Sequence, residues 1–108
     1  MQTGNIILIP FPFSELTNVK IRPATVIAET KDKYKDLILA AISSQISASP
    51  SQNEIIIHPD LINGLRVLSA IKVDRIFTLK AEKMIAEIGK LNESDLNFFR
   101  TIFKSLVD

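Results

Sequence analysis

Six polar side chains stand where apolar runs end, and together they have what one reaction needs. They are Arg22, Ser43, Ser44, Gln45 and Asp74, with Glu15 in the segment after the first run. Cleaving RNA without a metal takes a base for the 2′-hydroxyl proton and an acid for the leaving 5′-oxygen. It also takes donors for the charge that gathers on the phosphorus oxygens. Arg meets phosphate with a planar fork of donors, and a hydroxyl beside it adds a neutral one. An Asp or Glu serves as base where its pKa is raised. Each residue also has a plainer reading: Arg22 as a surface cation at a strand entrance, Ser43 and Ser44 as hydroxyls capping a turn. Spacing alone does not bring them together.

The elements that must position them follow from the apolar pattern. Lys20-Ile21-Arg22-Pro23 opens a run of small and β-branched residues that predicts a strand from about Ile21 to Glu29. Pro23 suits a strand's first residue or an edge, and it pushes Arg22 toward an extended conformation. Asn5 to Ile9 reads as a strand stopped by Pro10 and Pro12, whose neighbours Phe11 and Phe13 are expected to pin the following loop. Leu37 to Ile42 predicts a buried strand that stops at Ser43, and Glu54 to His58 predicts another that stops at Pro59. Lys31 to Asp36 reads as a charged hairpin tip, and Ser47 to Asn53 as a mobile loop. Asp60 to Gly64 reads as one helical turn closed by Gly.

Leu65 to Ala70 and Ile71 to Thr78 give two more extended segments. From Leu79 the period changes, with Met84, Ile85 and Ile88 on one helical stripe and Gly89 as its stop. A final helix begins at the N-cap Asn92, with Glu93 and Asp95 in its first turn and Leu96, Phe99, Ile102, Phe103 and Leu106 on its core face. The pattern predicts a mainly β fold with peripheral helices: a small, strongly bent β-barrel ending in an α-helix.

Composition limits the alternatives. A chain of 108 residues makes one domain, 1–108, with 46% hydrophobic and 23% charged residues. No cysteine is present, which excludes disulfides, thiolate nucleophiles and Cys-based zinc sites, and the single His58 excludes a multi-His metal site within one chain. No cofactor is expected. A formal net charge of +1 means that any polyanion must be met by locally concentrated cations. No apolar run approaches the roughly 20 residues of a membrane span, and no signal-peptide pattern opens the chain, so a cytoplasmic protein away from membranes is expected.

Taken in order, the pieces resemble a known family, the MazF/PemK toxins of type II toxin–antitoxin pairs. Gly4-Asn5-Ile6-Ile7-Leu8-Ile9-Pro10-Phe11 resembles the family's Gly-Asp-hydrophobic opening, and Arg22-Pro23-Ala24-Thr25-Val26-Ile27 its Arg-Pro block. Ile42-Ser43-Ser44-Gln45 resembles its hydrophobic-Thr-x-Gln. Gly64-Leu65, Ser69, Asp74 to Leu79 and Ile88-Gly89-Lys90-Leu91 follow in sequence. The resemblance implies an SH3-like barrel that forms a homodimer and cuts single-stranded RNA without a metal, leaving a 2′,3′-cyclic phosphate and a 5′-hydroxyl. It also implies a cognate antitoxin that blocks the RNA groove with an acidic segment.

Carried over by position, Arg22 matches the family's catalytic Arg, Ser43 its catalytic hydroxyl and Asp74 an acidic position used in some members. Glu15, Lys20, Ser44, Gln45 and Arg75 are the expected RNA contacts. The chain departs from the pattern at Ser43 for Thr, at Asn5 for Asp, at Arg75 for Gln and in a short first loop. Glu15 and Asp74 compete as the base, with Asp74 preferred; His58, away from the matched motifs, is expected to be structural. Two rivals share the fold: a barrel that binds RNA or antitoxin without cutting, and a gyrase-binding toxin, whose Trp-containing tail this chain lacks.

Overall fold

The computed structural model describes residues 1–11 and 20–108. Six strands form one sheet: β1 (Asn5–Pro10), β2 (Ile21–Glu29), β3 (Leu37–Ser43), β4 (Glu54–Ile57), β5 (Ser69–Leu79) and β6 (Ala86–Lys90). Helix α1 (Glu93–Ser105) follows them. The strand order is β4-β5-β3-β2-β1-β6, and all neighbours are antiparallel.

Register shifts interrupt β1–β6, β2–β3 and β3–β5. Each adds local twist and bends its strand. The sheet therefore curls into a half-barrel, the mainly β, SH3-like architecture expected. Its central strands are buried on both faces. Ile6, Ile27, Ala40, Ile42 and Ile71 lie under α1 with Phe99 and Ile102, whereas Ile7, Ile9, Ala24, Val26, Leu37 and Leu39 form a second cluster with Phe77, Leu79 and Met84. Helix α1 starts as its sequence requires, with the Asn92 side chain accepting from the Asp95 N–H at 2.8 Å.

Two sequence expectations fail. The helix expected from Leu79 to Gly89 is a single 3-10 turn at Ala81–Lys83 followed by strand β6. The outer edge of β1 explains this, because the backbone of fully buried Ile6 and Ile7 must find partners, and β6 supplies them. A tertiary demand on buried N–H and C=O groups outweighs a weak helical stripe containing Gly. Likewise, the two extended segments between Leu65 and Thr78 are not separate strands. Only Ser69–Leu79 is extended, as one long strand that pairs with β4 at its start and with β3 along its length.

One turn ties the two ends of the curled sheet together. Asn63 is fully buried; its Oδ1 accepts from the N–H groups of Asp60 and Leu65, and its Nδ2 donates to the His58 carbonyl. The turn lies backbone against backbone on β6, with the Lys90 N–H donating to the Ile62 carbonyl at 3.1 Å. Glycine is required on both sides of this contact. A Cβ on Gly89 would come 2.5 Å from the Asn63 carbonyl carbon, and one on Gly64, at φ 71°, would overlap the Ile88 carbonyl oxygen.

Asp60 joins the turn to the helix. The backbone N–H of Asn63, the Asn92 side chain and the N–H of Ile62 hold its carboxyl below the ordinary value of 3.8, against a smaller opposing effect of burial. A lowered folded-state pKa stabilises the fold above the unfolded value and ceases to do so as pH falls through the folded one. Acid unfolding followed by circular dichroism below about pH 4 is therefore expected to set in at a higher pH in Asp60→Asn, with the difference between the proteins shrinking once the wild-type carboxyl is protonated.

Candidate active site

Strand alternation decides which of the candidate residues meet. Arg22 shares a face of β2 with Ala24 and Val26, and Ser43 shares a face of β3 with Leu37, Leu39 and Ala41. Extending the Ala24↔Ala41 register by two residues sets Ser43 opposite Arg22, beyond the last paired residues. Both thus sit at the open end of the second apolar cluster. Ser44 points to the other face, where it lines a separate cavity with Leu65, Arg66 and Ile88. Period two separates neighbours that sequence had grouped.

Strand β5 brings in the acid. Lys72 pairs with Ala41 and Ile76 pairs with Ala40, so Val73, Asp74 and Arg75 bulge out of the ladder. Val73 is buried in the core, while Asp74 and Arg75 are exposed. A bulge of this kind re-aims side chains, and here Asp74 and Arg75 line one open cavity of about 390 Å³ together with Phe11, Arg22, Ser43 and Lys72. The Asn53 side chain reaches the Asp74 carboxylate at 3.4 Å.

Arg22 is held without being used up. Its guanidinium lies over the Phe11 ring, 5.0 Å from the centroid. Its Nε is buried and has no hydrogen-bond partner among the described residues. The Ser43 oxygen accepts from the Gln45 N–H at 3.0 Å, and among the described residues its own proton faces only the Gln45 carbonyl at 3.4 Å. Ser43 therefore does cap the turn, yet its hydroxyl proton is weakly engaged and available to an incoming acceptor. Arg22 is shared with the Ser44 cavity of about 380 Å³ on the opposite face.

Of the remaining sequence candidates, Lys20 and Gln45 are exposed and line neither cavity, and Glu15 lies outside the described residues. His58 is exposed after β4, and its carbonyl anchors Asn63. Sequence reasoning missed Lys72, Phe11 and Arg66. Lys72 did carry a signal: a cation between Ile71 and Val73, in a strand otherwise buried at that end. Among the described residues no three His, Cys, Asp or Glu come together in a way that could hold a metal ion, and no helix is long and apolar enough to cross a membrane.

The family model for the PemK-like, MazF-like toxin of type II toxin–antitoxin systems matches residues 2–106. The chain belongs to this family. No curated protein matches it by sequence. Among solved structures, an endoribonuclease in complex with its cognate antitoxin from a Mycobacterial species is similar with a TM-score of 0.75 at 12% identity, over 99% of this chain and 94% of that one. The Mycobacterium tuberculosis toxin MazF-mt6 is similar with a TM-score of 0.69 at 16% identity, over 96% of each chain. At such identities the likeness is one of fold, and it is the MazF-like fold.

A buried Arg22 donor with no partner among the described residues is a cost that folding alone does not repay. Leaving one unmade costs about 1–3 kcal/mol, and the contact with Phe11 returns about 0.5–1 kcal/mol. Replacement of the charge by an apolar side chain of similar length, Arg22→Met, is expected to leave the chain as stable as the wild type or about 1 kcal/mol more stable. Urea unfolding of the two proteins measures this.

Proposed function

We propose that this MazF-family chain is a metal-independent endoribonuclease that cuts single-stranded RNA in the cytoplasm. The observation that carries the reading is one open cavity lined together by a half-buried Arg whose buried donor has no partner among the described residues, a strand-end hydroxyl and a bulge-borne carboxylate. The scissile phosphate takes its charge-assisted hydrogen bonds from Arg22, and the Ser43 hydroxyl donates to a non-bridging oxygen. Asp74 removes the proton from the 2′-hydroxyl. The 2′-oxygen then bonds to phosphorus as the bond to the 5′-oxygen breaks, and Asp74 returns the proton to that 5′-oxygen. The products are a 2′,3′-cyclic phosphate and a 5′-hydroxyl, and atoms balance without a further reagent.

Purified protein incubated with a long single-stranded RNA in EDTA is expected to cut at one short sequence and leave those end groups. Arg22→Ala abolishes the cuts. Ser43→Thr retains them, whereas Ser43→Ala loses about 10²-fold in rate. Equal behaviour of Ser43→Thr and Ser43→Ala removes the hydroxyl from the mechanism. Absence of cleavage on varied RNAs by a folded wild type leaves the binding-only reading.

The partners proposed are a cognate antitoxin, which would cover the same cationic cavity with an acidic segment, and a second copy of this chain. Ile21 and Ile76, 58% and 44% exposed, flank Arg22 and the bulge and offer apolar surface to such a copy. Light scattering at micromolar concentration is expected to give the dimer mass, and Ile76→Glu the monomer mass.

A further inference from the structure

Lys72 is the one cation of the cavity that neither the sequence pattern nor the mechanism above uses. We propose that it is a second phosphate contact, gripping the phosphodiester next to the scissile one, and that Glu54 is the positioning residue that aims it. The proposal deepens the RNA-cutting reading of the same site and rests on it.

The register sets the reach. Ser43 pairs with Ala70 and Ala41 with Lys72, so Lys72 and Ser43 are diagonal neighbours on one face. Diagonal pairs in antiparallel sheets stand about 7–8 Å apart. Arg22 and Ser43 face each other across one phosphate; a cation one diagonal step away meets a different one.

The pairing with Glu54 distinguishes Lys72 from an ordinary cross-strand partner. Glu54 is opposite Lys72 on β4, and the two charges stand 4.0 Å apart. Charge-assisted hydrogen bonds to a carboxylate run at roughly 2.7–2.9 Å, so the ammonium is not seated on Glu54. The Oε2 atom that faces it is buried and has no hydrogen-bond partner among the described residues, while Oε1 accepts from the Ser51 N–H at 3.3 Å. Glu54 is 13% exposed and Lys72 31%. A carboxylate fixed from behind thus attracts the lysine without occupying its donors. Among the described residues no acceptor is seated on the ammonium, and at the cavity wall a compact point charge suits a phosphate oxygen.

The probe is a labelled, randomised-sequence 2′-O-methyl RNA, which has no 2′-hydroxyl to react; a phosphate contact weakens binding uniformly across sequences, so no recognised sequence is needed. Its affinity is measured across a salt titration for the wild type, Lys72→Met, Lys72→Arg and the double variant Glu54→Gln/Lys72→Met. Each lost phosphate contact lowers the slope of log affinity against log salt by about 0.7 for a single strand. Lys72→Met and the double variant are expected to lose that much, and Lys72→Arg none. The double variant removes the stranded Glu54 charge, so a loss seen in both does not come from disturbed folding around a lone carboxylate. With a cleavable RNA, Lys72→Met is expected to raise KM and leave kcat.

An unchanged slope in both methionine variants overturns the proposal even if the wild type cuts RNA. A slope that falls as expected in a wild type that never cuts keeps the Lys72 contact and overturns the cleavage mechanism. Absence of binding by the wild type overturns the Lys72 contact and leaves the cleavage reading to the assay in EDTA.

Discussion

The buried side chain of Asn63 is the constraint on which the rest of the molecule depends. A six-stranded sheet that curls but does not close has two edges, and its unpaired backbone groups must be answered. Asn63 folds the segment after β4 into a turn whose own carbonyls and amides it satisfies, and the turn is then laid on β6 at the far end of the strand order. Backbone can approach backbone that closely only because Gly64 and Gly89 carry no side chain. Asp60 extends the same turn to Asn92 and so to the start of α1. One polar cluster thereby holds β4, β6 and the helix in a single arrangement. The cavity that holds Ser44 opens beside this turn, lined by Gly64 and by Ile88 of β6.

The site follows from that curl by simple geometry. A flat ladder between β3 and β5 would continue the alternation through Asp74 and leave it far from Arg22 and Ser43. Three residues of β5 bulge out instead, and the bend that lets β5 serve β4 and β3 together also delivers an acid and a cation to the cavity. The fold and the lining of the cavity therefore depend on the same irregularity. Arg22 shows the opposite balance. Its half-buried guanidinium rests on Phe11 and keeps a donor unpaired among the described residues, an arrangement that costs stability and suits an anion.

Much of this was legible in the chain. The strands from Ile21 and Leu37 and the helix from Asn92 were read where they occur, because their patterns are long and end in clear stop signals. Arg22 and Ser43 were read as neighbours of one site only through resemblance to a family, since no local pattern links residues 22 and 43. Ser44 was grouped with Ser43, although a strand sends the two to opposite faces. Lys72 was missed, although it is a cation between the apolar Ile71 and Val73.

The sequence by itself determined the class of fold, the boundaries of the periodic elements, the capped final helix and the membership of a family of toxins. These depend on interactions between residues a few positions apart, or on order along the chain. Only the tertiary structure decided that Met84 to Gly89 leads into a strand and not a helix, because the demand comes from the unpaired edge of β1. It alone decided that β5 bulges at Val73 to Arg75, and that Lys72 stands before Glu54 in the same cavity as Arg22. Those outcomes rest on hydrogen bonds and register between strands distant in sequence, which no local pattern encodes.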